Sequence, residues 1–403
     1  MIMKEYDIII IGGGIIGCAI SKSIISKTKK KVAVLEKENH VGEHASSRNS
    51  GVIHSGFYYK PNSLKARFCV EGNKKLLEYC LLNNVPYKKT GTLVVAKNEH
   101  DSETLYKLLD RGKINNVPGI KIVNNDELRK IEPYVKGKKG LYSPTGSIVN
   151  SKILVKTMAA ETKNNGVDFL FGEQVLKISQ KNDQILVNTK NYKIKSKYLI
   201  NCAGIYADRI ANLTGLKLNY RIIPFRGKYY QLIKEKSFLL KSMVYPIPDP
   251  NLPFLGIHIT RTIDNNIIVG PNAVLAFGRE AYSNKQFSIS DIKDIISYDG
   301  FWKMMLLNSV KMKNEFIQSF SKGKFVEQAQ NLIPNLKSAD FQEGYSGIRA
   351  QLVDRDGKLV DDLIIKNQNN ITHILNAVSP GMTCSLPFAD YVVNNYVKNS
   401  ISN

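Results

Sequence analysis

Residues 6–17 read YDIIIIGGGIIG, and few folds accommodate that string. The apolar run from Tyr6 to Ile11 lacks helical spacing and stops at three glycines. It reads as a strand buried on both faces of a parallel sheet. Gly12, Gly14 and Gly17 form G-x-G-x-x-G. In that pattern the first glycine allows a tight turn and the second lets a pyrophosphate approach the backbone. The third lets the next helix pack close to the strand. The helix is expected from about Ile15 to Ser26, and its first amides, around Ile15 and Ile16, can hold phosphate. A second buried strand, KVAVLE, ends in Glu36. A carboxylate there accepts from both ribose hydroxyls and repels a 2′-phosphate, which disfavours NADP. Lys37 follows it.

The residues after Glu36 bear on the choice between NAD and FAD. They read KENHVGEHASSRNSGVIHSGFYYKP. NAD-binding domains usually move straight into another helix and strand. Here a polar loop leads instead to Ser46, Arg48, Asn49, Ser50 and Gly51, small residues and donors suited to closing on a diphosphate and a flavin edge. The expectation is FAD on a Rossmann-like α/β domain, with a separate substrate-binding domain.

The net charge is +22, from 57 Lys plus Arg against 35 Asp plus Glu. Such a balance favours anionic partners. The excess is spread through Lys- and Asn-rich loops, however, and no zinc-finger spacing or aromatic-basic motif accompanies it, so nucleic acid is not expected. The five cysteines are scattered without metal-ligand spacing, which points to a reducing compartment and no metal site. No apolar stretch is long enough to span a bilayer. Glu5 and Asp7 ahead of the glycine-broken run argue against a signal peptide. A cytoplasmic protein is expected, with peripheral contact at the inner face of a membrane left open.

Downstream, helices are expected after Pro61, over 101–116, 126–131 and 151–165, and a strand over Gly91–Lys97. EQVLKIS, QILVNT and YKIKS read as a meander, followed by a separate strand YLINCAG. Extended segments fill much of 216–280. A helical stretch, 288–321, carries the single tryptophan, Trp302.

Several long strings resemble one family. NSGVIHSGFYYKPNSLKARFCVEG, PFRGKYYQL, YPIPDPNLPFLGIHIT, GPNAVLAFGRE and SGIRAQLVDRDGKLVDD are similar to those of the L-2-hydroxyglutarate dehydrogenases, or oxidases, of the D-amino-acid oxidase superfamily. The likeness runs from about Tyr6 to Tyr391. It implies a glutathione-reductase-like FAD domain, built discontinuously from residues 1–85, 145–215 and 341–403. It also implies an α+β substrate domain of antiparallel sheet plus helices, from 86–144 and 216–340. The activity implied is oxidation of L-2-hydroxyglutarate to 2-oxoglutarate by hydride transfer to non-covalent FAD, with electrons passed to a quinone or oxygen. Neighbouring possibilities are another 2-hydroxy acid or a polyol phosphate, such as L-malate or glycerol 3-phosphate. A flavin-bearing RNA-binding factor is a more distant one. The resemblance adds Val175, Cys202, Ala203, Gly204, Gly347, Pro380, Gly381, Met382 and Thr383 to the cofactor residues, with Gly381 opening a helix aimed at the flavin.

Oxidising a hydroxy dicarboxylate calls for cations to hold carboxylates and a base for the hydroxyl proton. Arg349 in SGIRAQ is the first carboxylate anchor, also counted beside FAD, unless it pairs with Asp354 or Asp356. Arg226 and Arg67 are candidates for a second cation, and Arg261 a weaker one. His54 is the leading base and His258 the alternative, since histidine titrates near neutrality. Tyr58, Tyr59, Tyr245 and Asn272 are candidates to line the pocket. His40, His44, His100 and His373 read as ordinary.

Overall fold

The computed structural model describes residues 2–181, 183–248, 256–307 and 321–397. The chain forms two large sheets and a small one. β1 (Ile2–Ile11) and β2 (Val32–Leu35) lie side by side and parallel in an eight-stranded sheet. β1 pairs on its other edge with Tyr192–Asn201, also parallel, and β2 with Asp168–Leu170. Ile8, Ile9 and Ile10 are fully buried, as the unbroken apolar run requires. Each contributes roughly 2 kcal/mol of burial free energy.

α1 (Ile15–Ile25) follows the glycines and packs with Ser151–Asn164 and the C-terminal helix Gly381–Val392 in the largest core cluster. α2 (Leu64–Leu82) lies against that C-terminal helix. The expected YKIKS and YLIN strands are one strand, Tyr192–Asn201. No turn residue interrupts SKYL, so the chain runs on. Its first half pairs with Gln184–Asn188, and its second half with Ile371–Asn376.

The nine-stranded second sheet is mostly antiparallel, as expected for 216–280, with one parallel junction between Met243–Pro246 and Thr92–Ala96. Tyr220–Leu232 is its spine. Along nearly its whole length it pairs with Phe341–Asp354. The expected boundary at 341 is therefore corrected. Phe341–Asp354 is a full member of the second sheet, and the chain returns to the first sheet only beyond it.

The expected helical stretch over 288–321 is two helices where described, Ile289–Ile296 and Asp299–Leu307, and 308–320 lies outside the described residues. Of the string YPIPDPNLPFLGIHIT, residues 249–255 are likewise outside. Among the described residues, no helix is long and apolar enough to cross a membrane.

Candidate active site

One cavity of about 1040 Å³ opens where the two large sheets meet. That is the top of the range for small-molecule sites, with room for a dinucleotide and a small acid.

The turn after β1 explains the glycines. A Cβ on Gly17 would lie 2.0 Å from the carbonyl oxygen of Gly12, and one on Gly12 would lie 2.4 Å from that of Cys202. Both must stay bare for helix, turn and returning strand to meet. Gly12, Gly14, Ile15 and Ile16 line the cavity, whereas Gly17 lies behind it as packing. α1 has no side-chain cap on its Gly14 N-cap, and the Ile15 amide donates to Ser46 Oγ at 2.9 Å. Glu36 is buried at the end of β2. Its Oε2 accepts from the Gly13 amide at 2.7 Å, and its Oε1 from the Glu38 amide at 3.0 Å. The carboxylate is thus fixed with lone pairs to spare for hydroxyl donors.

Lys37, Ser46, Arg48, Asn49, Ser50, Val175, Cys202, Ala203, Gly204, Gly347 and Pro380 through Thr383 also line the cavity. Gly51 does not. A Cβ there would lie 2.4 Å from the Val149 carbonyl oxygen, so Gly51 serves the turn that carries the loop past that strand. A Cβ on Gly381 would meet nothing within 4 Å, so the start of the C-terminal helix faces open space. A helix start facing open space, a glycine cradle and a fixed, buried carboxylate suit a flavin dinucleotide.

His54 is clamped at its backbone. Its amide donates to Thr383 Oγ1 at 3.0 Å, and its carbonyl accepts from Asn73 at 3.1 Å. Its Nε2 lies 3.4 Å from Ser379 Oγ. Burial pulls its pKa down to about 4, with His258 and Lys65 adding their charge. Burial also brings His258 down to about 4. His258 stacks on Tyr245 with ring centroids 4.4 Å apart, and its Nδ1 is 3.2 Å from the Gly256 carbonyl oxygen. A carbonyl only accepts, so that nitrogen carries the proton and Nε2 keeps its lone pair. Both imidazoles are neutral at pH 7 and so able to accept a proton. Arg349, on Phe341–Asp354, faces the same cavity. Burial lowers its pKa, while Asp361 and Tyr59 act in the other direction. Its acidic neighbour is therefore Asp361, not Asp354 or Asp356. Asn272 holds the Lys228 amide at 2.8 Å and lines the cavity beside Tyr245.

Three expected cations lie elsewhere. Arg226 points to the other side of its strand, where it donates to the Ala281 carbonyl and Asn284 Oδ1. Its neighbours Phe225 and Gly227 line the cavity, and strand alternation puts 226 on the opposite face. Arg67 is exposed on α2 and lies over Phe68, turned away by the helical period. Arg261 donates to the Ser237 and Leu240 carbonyls and is structural. Tyr58 and Tyr59 sit behind the cavity wall rather than in it. The buried cation on α2 is Lys65, 3.3 Å from Asp361.

His44, read as ordinary, lines the cavity as well. Its Nδ1 is 2.6 Å from Tyr282 Oη, and its Nε2 is 2.9 Å from Glu38. Glu280 beside it accepts from Lys37 at 2.6 Å and from Tyr206 at 2.7 Å. These bonds tie the 280–282 strap of the second sheet's chain to the loop after β2. Glu38, His44 and Glu280 could together ligate an ion. Lys37 already bonds both carboxylates, and so fills that role as a cation.

Residues 7–394 match the family described as FAD dependent oxidoreductase. The L-2-hydroxyglutarate dehydrogenase of Indibacter alkaliphilus is 41% identical, over 95% of this chain and 96% of that one. The human mitochondrial L-2-hydroxyglutarate dehydrogenase is 37% identical, over 97% of this chain and 88% of that one. Among solved structures, the FAD-bound L-alpha-glycerophosphate oxidase of Mycoplasma pneumoniae superposes with a TM-score of 0.79 at 26% identity, covering 98% of this chain and 96% of that one. With its glycine turn, buried Glu36 carboxylate and FAD-sized cavity in place, the chain belongs to the FAD-dependent oxidoreductases, alongside the L-2-hydroxyglutarate dehydrogenases it matches almost end to end.

Proposed function

We propose that this protein oxidises L-2-hydroxyglutarate to 2-oxoglutarate. The observation that carries the reading is the convergence of His54, His258 and Arg349 on the FAD-sized cavity. Held by the Gly12–Gly14 turn, Glu36 and the start of the C-terminal helix at Gly381, FAD would supply the oxidant that accepts the C2 hydrogen with its electron pair. The rest falls to the chain. Arg349 holds the C1 carboxylate with its planar fork and thereby orients C2. His54, neutral at pH 7, accepts the hydroxyl proton. His258 and Tyr245 form the facing wall and hold the far end of the substrate. The buried His258 and Tyr245, with the half-buried His54 and Arg349, limit water's competition for the carboxylate and strengthen each contact.

The electrons go on to a quinone or oxygen. We place the protein in the cytoplasm with peripheral contact at the membrane's inner face. The exposed Trp302, Leu306 and Leu307, in a chain of net charge +22, support that contact.

The test is anaerobic. The flavin absorbance should bleach with L-2-hydroxyglutarate and persist with the D-isomer and L-malate. Bleaching by glycerol 3-phosphate instead would overturn the substrate while leaving the enzyme class. Reoxidation by a soluble quinone against air identifies the acceptor, and flotation with anionic vesicles tests the membrane contact.

A further inference from the structure

Lys65 is a buried charge that the reaction just described does not use. The start of α2 pins its backbone. Ser63 caps the helix by accepting from the Ala66 amide, and the Lys65 amide donates to Asp362 Oδ1 at 3.0 Å. Its side chain is only 2% exposed, whereas that of its partner Asp361 is 84% exposed. Its ammonium lies 6.0 Å from the centre of the Tyr59 ring, and that ring meets His54 edge-on at 6.5 Å. It is near enough to Arg349 for their like charges to repel, and near enough to His54 to disfavour a second positive charge there. One ion pair to an exposed carboxylate, with Asp362 nearby, is thin compensation for an ammonium taken out of water.

The other cations at the cavity are occupied. Lys37 bonds Glu38 and Glu280, and Arg209 bonds Asp291 and Asp294. Arg279 bonds Asp208 and Asp294, and Arg48 bonds the Glu43 carbonyl and lies over Tyr282. A substrate with two carboxylates brings two negative charges to the neighbourhood of Arg349.

We propose that Lys65 is the second positive charge of the substrate site, a positioning residue behind Arg349 and Tyr59 that makes the cavity favour dicarboxylates over monocarboxylates. This rests on reading the cavity as a 2-hydroxyglutarate site. The charged groups facing Lys65 are Asp361, Asp362 and Arg349. Its titratable neighbours His54, Tyr59 and Cys69 are neutral from weakly acidic to mildly alkaline pH, because burial lowers the imidazole and raises the other two.

Glutarate and butyrate are unreactive and differ by one carboxylate. Each is titrated into the flavin-loaded protein and followed by flavin absorbance. Lys65→Met should weaken glutarate about tenfold, the loss of one through-space charge attraction, and butyrate less than about twofold. Lys65→Arg should restore the preference, and Asp361→Asn should keep it. Burial sets Lys65 to lose its proton below the usual lysine range. The wild-type preference should therefore fade on the alkaline side at a lower pH than an ordinary lysine would give, and hold in Lys65→Arg. This arm needs no destabilising variant. Equal weakening of both ligands, a flat wild-type pH profile, or Asp361→Asn behaving like Lys65→Met would make Lys65 a structural ion-pair partner and overturn the proposal. Turnover of L-2-hydroxyglutarate by the wild type is scored separately. Its absence with the glutarate preference intact sinks the substrate assignment, not the lysine.

Discussion

Gly17 and His54 show how differently single residues carry function here. Gly17 touches no ligand, yet a Cβ 2.0 Å from the Gly12 carbonyl would force α1 away from the turn. Gly17→Ala should purify with little or no flavin, measured as the ratio of 450 nm to 280 nm absorbance; wild-type loading would refute the packing argument. The role proposed for His54 is chemical. His54→Ala should lower kcat by about 10²–10⁴, the usual contribution of a general base, whereas His258→Ala should chiefly raise KM. With a folded pKa of about 4, His54 stays deprotonated through weakly acidic pH. The kcat/KM of wild type should therefore remain flat from pH 7 down to about pH 5 and fall only near pH 4. An acid limb near 6.5 would contradict it. The glycines and Glu36 were legible in sequence because a contiguous motif encodes them. Arg226 and Arg67 were misplaced because side-chain direction depends on phase. On α2 the buried positions Lys65, Phe68, Cys69, Gly72 and Leu76 keep a helical spacing, and that stripe would have singled out Lys65 over Arg67.

At the level of elements, the site is set by two close crossings. A Cβ on Gly72 of α2 would fall 2.1 Å from the Thr383 carbonyl, and one on Gly347 would fall 2.2 Å from the Arg48 carbonyl. The first crossing seats the helix whose Thr383 hydroxyl holds the His54 amide. Gly72→Ala should cost about 1–3 kcal/mol of stability, as overpacking does, and lower kcat as well. Urea unfolding and steady-state turnover measure the two, and unchanged turnover would uncouple the crossing from the chemistry. Element types were largely readable from periodicity. What eluded the sequence was partnership. Nothing local tells Phe341–Asp354 that its partner is Tyr220–Leu232, more than a hundred residues earlier, and so the boundary at 341 fell in the wrong place.

Across the whole molecule, three histidines are stored neutral. His54, His258 and His373 each have a folded pKa of about 4, against roughly 6.5 when unfolded. Between those values the unfolded chain binds more protons, so stability falls as pH drops from 6.5 toward 4. Each histidine contributes up to about 1.4 kcal/mol per pH unit in that window. His373 sits in the Ile371–Asn376 strand of the first sheet, bonded to Asn201 and Thr214. His373→Asn should thus flatten the slope by about one proton, read from urea unfolding at several pH values, without shifting the activity profile; an unchanged slope would argue against a neutral buried His373. The cavity wall tells a last story. It is assembled from stretches as far apart as Gly12, Val175, Glu280 and Thr383, and the Lys37–Glu280 and His44–Tyr282 contacts close it. No fragment of the chain contains the slot. A ligand that binds only the finished fold adds its own affinity to the folding equilibrium. The amount of intact protein in a cell should then track the supply of flavin, and vitamin starvation would act on this enzyme as a destabilising mutation does, through degradation rather than through slowed catalysis.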